Sequence, residues 1–152
     1  MKIDLAKSEI IHFIGIGGIG MSGLALIMHS MGFKIQGSDM NLNKNIERLK
    51  KKKIKIFIGH GKINIKNATV LVISSAIKKN NPELIEGKIK SLPIYKRGEM
   101  LGHISSLTKN ITVVGSHGKT TTTSLIASIF SKTKIDPTII NGGVLNSLDS
   151  SA

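Results

Sequence analysis

Apolar and polar positions along this chain change in blocks that predict strands and helices in alternation. Residues 10–16 form a short apolar run that ends in glycines, which is typical of a strand buried on both faces of a parallel sheet. Residues 21–31 then carry apolar side chains at helical spacing and end before Gly32, a common helix stop. The chain therefore opens with a strand, a glycine-rich turn and a helix.

The same alternation continues as far as residue 107, with Pro82 suited to the first turn of a helix. It contains no internal repeat and no low-complexity linker. The further predicted strands are 33–37, 54–58, 69–74 and 94–95, and the further helices are 45–53, 82–90 and 97–107. Strands that alternate with helices predict an α/β fold with a Rossmann-like, mostly parallel sheet.

The pattern restarts after residue 108, where a second glycine turn follows a predicted strand at 111–114. A helix at 119–131 and a strand at 138–140 complete this part. We therefore predict two domains: residues 1–108, a Rossmann-like domain, and residues 109–152, the beginning of a second domain. The second is expected to be incomplete, because so few residues cannot bury an adequate core.

The first glycine turn, residues 15–20, reads GIGGIG and matches the pattern G-x-G-x-x-G. Glycines in this context permit a tight turn and let the backbone approach a diphosphate, while helix-start N–H groups face the anion. Asp39 follows the next strand at the distance where such folds bind a ribose hydroxyl. The alternative is that the glycines only shape a turn and that Asp39 caps the helix after it.

The second turn, residues 115–120, reads GSHGKT and resembles a P-loop, although Val113 stands where the common pattern has its first glycine. Backbone donors would surround phosphates, Lys119 would neutralise their charge, and the Thr120 hydroxyl would bind Mg²⁺. The alternative is a chance G-K-T turn. His117 could contact phosphate or metal, or lie exposed without a role.

The net charge of +13 would ordinarily suggest a nucleic acid or an anionic membrane as partner. Only Arg48 and Arg97 among the 22 basic residues are arginine, the better residue for phosphate recognition, so we expect most lysines to be solvated surface. Residues 10–33 carry no formal charge, but their glycines argue against a membrane helix. We expect neither nucleic-acid binding nor membrane insertion.

Cysteine is absent, which excludes disulfides, thiolate metal sites and a cysteine nucleophile and is compatible with a reducing cytoplasm. Four histidines outside the second turn show no shared metal-site spacing and are interpreted as structural or surface residues. They are His12, His29, His60 and His103.

Six segments in order along the whole chain resemble the Mur ligases. They are HFIGIGGIGMSGLA (12–25), GSD (37–39), SSAI (74–77), RGEML (97–101), VGSHGKTTTT (114–123), and DPT with NGG (136–138 and 141–143). The resemblance implies a cytoplasmic ADP-forming enzyme of peptidoglycan biosynthesis that uses ATP and Mg²⁺. It points to the members that join L-alanine to UDP-N-acetylmuramate through an acyl phosphate.

The resemblance also assigns roles to particular residues, with Arg97 as a further candidate in the UDP-sugar cleft. The implied UDP-sugar site comprises Gly15, Gly17, Gly18, Ile19, Gly20, Ser38, Asp39, Ser74 and Ser75. Residues 109–152 would be the beginning of a P-loop-type central ATP-binding domain. The implied ATP site comprises Gly115, Ser116, His117, Gly118, Lys119, Thr120 and Thr121. Within it, Lys119 and Thr120 would be catalytic and Thr120 would also bind the metal.

Mur ligases are longer than this chain and have three domains, so we expect the chain alone not to ligate alanine. We also expect residues 1–108 to fold alone and to bind the UDP group weakly. A nicotinamide-dependent dehydrogenase would explain the first turn but not the second, and NADH titration would distinguish it. A nucleic-acid-binding module would show affinity that falls steeply with salt.

Overall fold

The computed structural model describes residues 5–133, 137–141 and 144–146. Its strands and helices agree with the predicted alternation to within two residues at most ends. The strands are β1 Ile10–Ile14, β2 Lys34–Asp39, β3 Lys55–Ile58, β4 Val70–Ile73, β5 Ile94–Lys96, β6 Ile139–Asn141 and β7 Val144–Asn146. The helices are α1 Ile19–Ser30, α2 Lys44–Lys51, α3 Pro82–Ile89, α4 Arg97–Ser106 and α5 Lys119–Phe130, with a 3₁₀ turn at Lys62–Ile65.

The first five strands form one sheet in the order β3-β2-β1-β4-β5, and every neighbouring pair is parallel. This confirms the predicted α/β fold with a Rossmann-like parallel sheet. The chain crosses from β3 at one edge to β4 beside β1, so the strand order reverses between β1 and β4. In such sheets ligands bind outside the carboxyl ends of the strands at this reversal.

Both faces of the sheet are covered by an aliphatic core, which explains why its strands are continuously apolar. Helices α1, α2 and α4 cover one face, where Phe13, Met28 and Met100 are fully buried. The 3₁₀ turn and α3 cover the other face through Ile65 and Leu84. These layers hold the carboxyl ends of β1, β2 and β4 in a fixed arrangement.

The strand predicted at residues 111–114 is wrong, because this segment is irregular in the structure. Its side chains at Ile111 and Val114 are 64% and 83% exposed. A strand persists only with a hydrogen-bonded neighbour, and in the described residues no strand pairs with this segment. β7, which was not predicted, pairs antiparallel with β6. Asp136, Gly142 and Gly143 of the segments that resemble Mur ligases lie outside the described residues.

Among the described residues, no helix has the length and apolar character needed to cross a bilayer. The uncharged stretch at residues 10–33 is instead divided between β1, its glycine turn and α1.

Candidate functional site

The first glycine turn leaves the carboxyl end of β1 and becomes the N-terminus of α1, with Gly18 as the N-cap. Gly15 has a φ of +82°, a backbone conformation that favours glycine. The N–H groups of Gly15 and Ile16 both donate to the carbonyl of Ser38, at 2.8 and 3.0 Å. The turn is therefore anchored to the end of the neighbouring strand β2.

Asp39, the last residue of β2, also holds this turn. Its Oδ2 accepts the N–H of Gly17 at 2.9 Å, and its Oδ1 accepts the N–H of Asn41 at 3.2 Å. The alternative that Asp39 caps the following helix is wrong, because the side chain of Asn43 caps α2 by accepting the N–H of Ile46 at 3.0 Å. The Asp39 carboxylate instead holds the glycine turn through the N–H of Gly17.

Gly17 lies where the turn meets the start of α2. Its carbonyl accepts the side-chain amides of Asn43 and Asn45, at 3.2 and 2.8 Å. A Cβ atom added to Gly17 would lie 2.8 Å from Asn43 Nδ2 and 2.9 Å from Asp39 Oδ2. Glycine is therefore required here by the contacts of the turn itself.

Positive charge gathers at the start of α1. The first turn of this helix contains no acidic residue. The exposed guanidinium of Arg97 lies so close that a Cβ on Gly20 would be 3.0 Å from its Nη1. A helix N-terminus carries partial positive charge, so its proximity to Arg97 favours an anion at this position.

The two serines predicted for this cleft follow β4, across the point where the strand order reverses. A Cβ on Gly15 would lie 3.5 Å from the Cβ of Ser74, which places Ser74 beside the turn. The Ser74 hydroxyl accepts the N–H of Ala76 at 3.3 Å, and Ser75 is exposed. Ser38 differs, because its side chain is fully buried and only its carbonyl reaches the turn.

A buried polar cluster lies under this edge of the sheet, centred on the fully buried Glu83 of α3. Oε2 of Glu83 accepts the hydroxyl of Ser38 at 2.5 Å and lies 3.4 Å from His12 Nε2 and 3.3 Å from His60 Nδ1. Oε1 accepts the side-chain amide of Asn64 at 2.6 Å and the N–H of Gly61 at 3.3 Å. Its neighbours are thus a hydroxyl, a side-chain amide, a backbone N–H and two imidazole nitrogens.

Burial raises the pKa of Glu83, but the hydrogen bonds from His12, Ser38 and Asn64 outweigh it and hold the pKa below the ordinary 4.5 of a glutamate. A carboxyl group with a lower pKa in the folded state contributes stability above its unfolded pKa. That contribution is lost as pH falls through the folded pKa.

We therefore expect the free energy of unfolding to fall in acid partly through Glu83. In urea titrations from pH 6 down to pH 3, wild type should be more stable than Glu83→Gln at the upper end, and the difference should narrow as pH falls. Glu86→Gln, one turn later on α3, should track wild type. A difference that stays constant with pH would contradict this role of the Glu83 charge.

The second glycine turn precedes α5 and is exposed. Gly118, at a φ of +73°, is the N-cap of α5. The ammonium group of Lys119 donates to the carbonyls of Gly115 and Ser116, at 2.6 and 3.1 Å. Lys119 therefore folds back over its own turn. The remaining predicted ATP-site residues, His117, Thr120 and Thr121, are exposed in the turn or the first turn of α5.

A known family model, described as the Mur ligase family, catalytic domain, matches residues 10–109. The chain belongs to the Mur ligase family. The match begins at β1 and ends just after α4, so it includes the parallel sheet and the first glycine turn. The Mur ligase match stops short of the second turn. The similarity of that turn to Mur ligases therefore rests on the comparisons with individual proteins.

Two curated relatives are similar over the full 152 residues, including both turns. The UDP-N-acetylmuramate–L-alanine ligase of Pelagibacter ubique is 78% identical, and that of Brucella ovis is 48% identical. This chain covers 33% and 32% of their respective lengths. The chain therefore spans about a third of the curated Mur ligases that it matches.

Solved Mur ligase structures have the same fold. The UDP-N-acetylmuramate–alanine ligase of Thermotoga maritima is 33% identical with a TM-score of 0.77, covering 87% of this chain and 31% of that one. A murein peptide ligase of Psychrobacter arcticus is 30% identical with a TM-score of 0.80, covering 94% of this chain and 31% of that one. The Rossmann-like sheet is thus shared with both kinds of ligase.

The buried cluster was not predicted as a unit. His12 was interpreted correctly as structural, but Glu83 was not singled out. A usable signal was present, because His12 and Gln36 are polar residues at buried positions of β1 and β2. A polar side chain in such a strand needs a hydrogen-bonding partner, and the partner had to come from another element.

Proposed function

We propose that this chain holds the UDP-sugar and the ATP phosphates in a cytoplasmic ligase that joins L-alanine to UDP-N-acetylmuramate. The observation that carries this proposal is the 78% identity, along all 152 residues, to a protein of that name. The geometry of the two glycine turns supports it, because each precedes a helix whose first N–H groups can face phosphate.

In this proposal the first turn binds the diphosphate of the UDP-sugar. The start of α1 and the guanidinium of Arg97 provide the positive charge, and Ser74 and Ser75 line the cleft beyond β4. Both oxygens of Asp39 already accept backbone N–H groups. These two hydrogen bonds favour a role for Asp39 in holding the turn. They argue against the ribose contact that a nicotinamide-dependent dehydrogenase would make.

The second turn binds ATP in this proposal. The phosphates are surrounded by the backbone of Gly115, Ser116, His117 and Gly118, and Thr121 lies beside them. The Lys119 ammonium group breaks its hydrogen bonds to the two carbonyls and binds the β- and γ-oxygens instead. Lysine is well suited to that exchange, since it carries a compact charge on a flexible stem.

Thr120 is the metal ligand in this proposal. Mg²⁺ is usually held by one or two protein ligands together with phosphate oxygens and water. In the described residues no three histidine, cysteine or acidic side chains cluster to hold a metal. A single exposed hydroxyl beside a phosphate loop fits the sparse protein coordination of Mg²⁺. When bound, the ion would neutralise charge on the phosphates.

The proposed reaction has two steps. The muramate carboxylate attacks the γ-phosphorus of ATP, so that ADP leaves and an acyl phosphate forms. The alanine amine then attacks the acyl carbon, inorganic phosphate leaves, and an amide bond forms. Lys119 would stabilise charge on the phosphoryl group during the first step.

The two substrates bind to different domains in this proposal, residues 1–108 and residues 109–152. The parallel sheet and its helices are complete at the end of α4, and the exposed segment that follows leads to the second turn. The first domain would hold the UDP-sugar and the second the ATP phosphates.

Calorimetric titration of the chain with UDP-N-acetylmuramate tests the first site. We expect wild type to bind and Arg97→Gln to bind about tenfold more weakly, since a charge-assisted hydrogen bond is lost. Arg48→Gln is the matched control, because Arg48 is the chain's only other arginine and is exposed on α2. Binding of NADH without binding of the UDP-sugar would refute the proposal.

A further inference from the structure

We propose that Glu83 is a positioning residue for the UDP-sugar site, because it fixes Ser38, the residue whose carbonyl holds the first glycine turn. This inference rests on the proposed function of that turn. Glu83 lies 45 positions from Ser38 along the chain, on α3, which packs on the other face of the sheet from α1. Three sets of hydrogen bonds carry the argument.

The first set fixes the Ser38 hydroxyl. Serine has one hydroxyl proton, and Ser38 donates it to Oε2 of Glu83 at 2.5 Å. The 2.9 Å contact between Ser38 Oγ and His60 Nδ1 must then be a hydrogen bond that His60 donates. The Ser38 side chain is consequently held on both sides, as donor to Glu83 and as acceptor from His60.

The second set fixes the histidine beneath it. The side-chain amide of Gln36 donates to the carbonyl of Asn64 at 3.0 Å and lies 3.1 Å from His12 Nδ1. Since that amide nitrogen is a donor, Nδ1 of His12 is the acceptor. Nε2 is then the ring nitrogen that donates to Glu83, at 3.4 Å.

These assignments leave the Glu83 carboxylate as the common acceptor of four hydrogen-bond donors, from Ser38, His12, Asn64 and Gly61. His60 gives its Nδ1 proton to Ser38 and lies 3.3 Å from Oε2 of Glu83. Glutamine cannot replace it without conflict. Either orientation of the glutamine amide points N–H groups at donors that need an acceptor. Glu83→Gln is thus a nearly isosteric change that disturbs the cluster by removing its negative charge and replacing an acceptor with a donor, not by changing its packing.

The third set of hydrogen bonds connects Ser38 and its neighbour Asp39 to the glycine turn. The Ser38 carbonyl accepts the N–H groups of Gly15 and Ile16, and the next residue, Asp39, accepts that of Gly17. Three consecutive N–H groups of the turn are therefore held by two consecutive residues of β2. Loosening Ser38 would release the turn at the position where it must present its backbone to the diphosphate.

The test compares Glu83→Gln and Ser38→Ala with wild type in the 152-residue chain, with Glu86→Gln as the matched control. Glu86 is on the same helix, is only partly buried and pairs with Lys90 at 3.8 Å. Calorimetry with UDP-N-acetylmuramate should show about tenfold weaker binding for the first two variants and an unchanged affinity for the control.

Residue-resolved amide hydrogen exchange separates positioning from general destabilisation. We expect Gly15 and Ile16 to exchange faster in both variants, while amides of β4 keep their wild-type rates. Equal increases in amide exchange rate in the turn and in β4 would overturn the proposal. Wild-type affinity for UDP-N-acetylmuramate in both folded variants would also overturn it. If Glu83→Gln fails to fold, the smaller change Ser38→Ala decides the question alone.

The two proposals can fail separately. Absence of UDP-sugar binding by wild type would refute the proposed function. Exchange at Gly15 and Ile16 would then still decide whether Glu83 positions the turn.

Discussion

Alanine in place of Gly37 is expected to lower the free energy of unfolding by about 3 kcal/mol. Gly37 is buried in β2 opposite Phe13 of β1. A Cβ atom there would lie 2.7 Å from the Phe13 carbonyl oxygen and 2.6 Å from Cδ1 of Ile16. The carbonyl belongs to the strand backbone and cannot move away without opening the β1–β2 pairing, so relaxation of the Ile16 side chain alone cannot relieve the overlap.

Urea denaturation followed by circular dichroism measures this effect, with Gly102→Ala as the control. Gly102 lies in α4, and a Cβ atom there would meet nothing within 4 Å. Alanine is the better helix former, so the control should gain up to about 1 kcal/mol. Equal stabilities for Gly37→Ala and wild type would contradict the close approach of β1 and β2 at this position.

Methionine in place of Lys119 is expected to weaken ATP binding about 10- to 100-fold, with little change in stability. In the described structure the ammonium group contacts only the exposed carbonyls of Gly115 and Ser116. Its loss therefore costs the fold little, whereas a charged hydrogen bond to phosphate is worth about 1.5 to 3 kcal/mol. Titration of the chain with ATP in the presence of Mg²⁺ measures the difference.

Lys132→Met makes the same chemical change just after the other end of α5, at an exposed lysine. It should retain wild-type ATP affinity. Equal weakening by the two variants would indicate a general effect of positive charge, and unchanged affinity in Lys119→Met would remove this lysine from the ATP site.

Local rules explain most of what could be predicted. The parallel sheet followed from apolar runs that end in glycine or polar residues, and α3 began at Pro82 as expected. The strand predicted at 111–114 failed for a physical reason. An apolar run indicates the capacity to pair, but pairing also needs a neighbouring strand, which the residues of the run do not specify.

The candidate site shows the same division at the level of single residues. The glycine pattern located the first turn, and Asp39 was predicted either to bind a ribose hydroxyl or to cap α2. Whether Asp39 caps α2 was open in the sequence, because Asp39 and Asn43 are both good caps. The structure decided it, since Asn43 bonds to Ile46 whereas Asp39 bonds to Gly17.

The sequence by itself determined the order of the first five strands and the five helices, the two glycine turns and the resemblance to Mur ligases. All of these depend on residues close together along the chain, where spacing and backbone preference act directly. Tertiary structure alone decided that Arg97 lies beside Gly20 and that Glu83 bonds to Ser38. Such contacts join residues tens of positions apart, and only the packing of α3 and α4 against the sheet brings them within hydrogen-bonding distance or van der Waals contact.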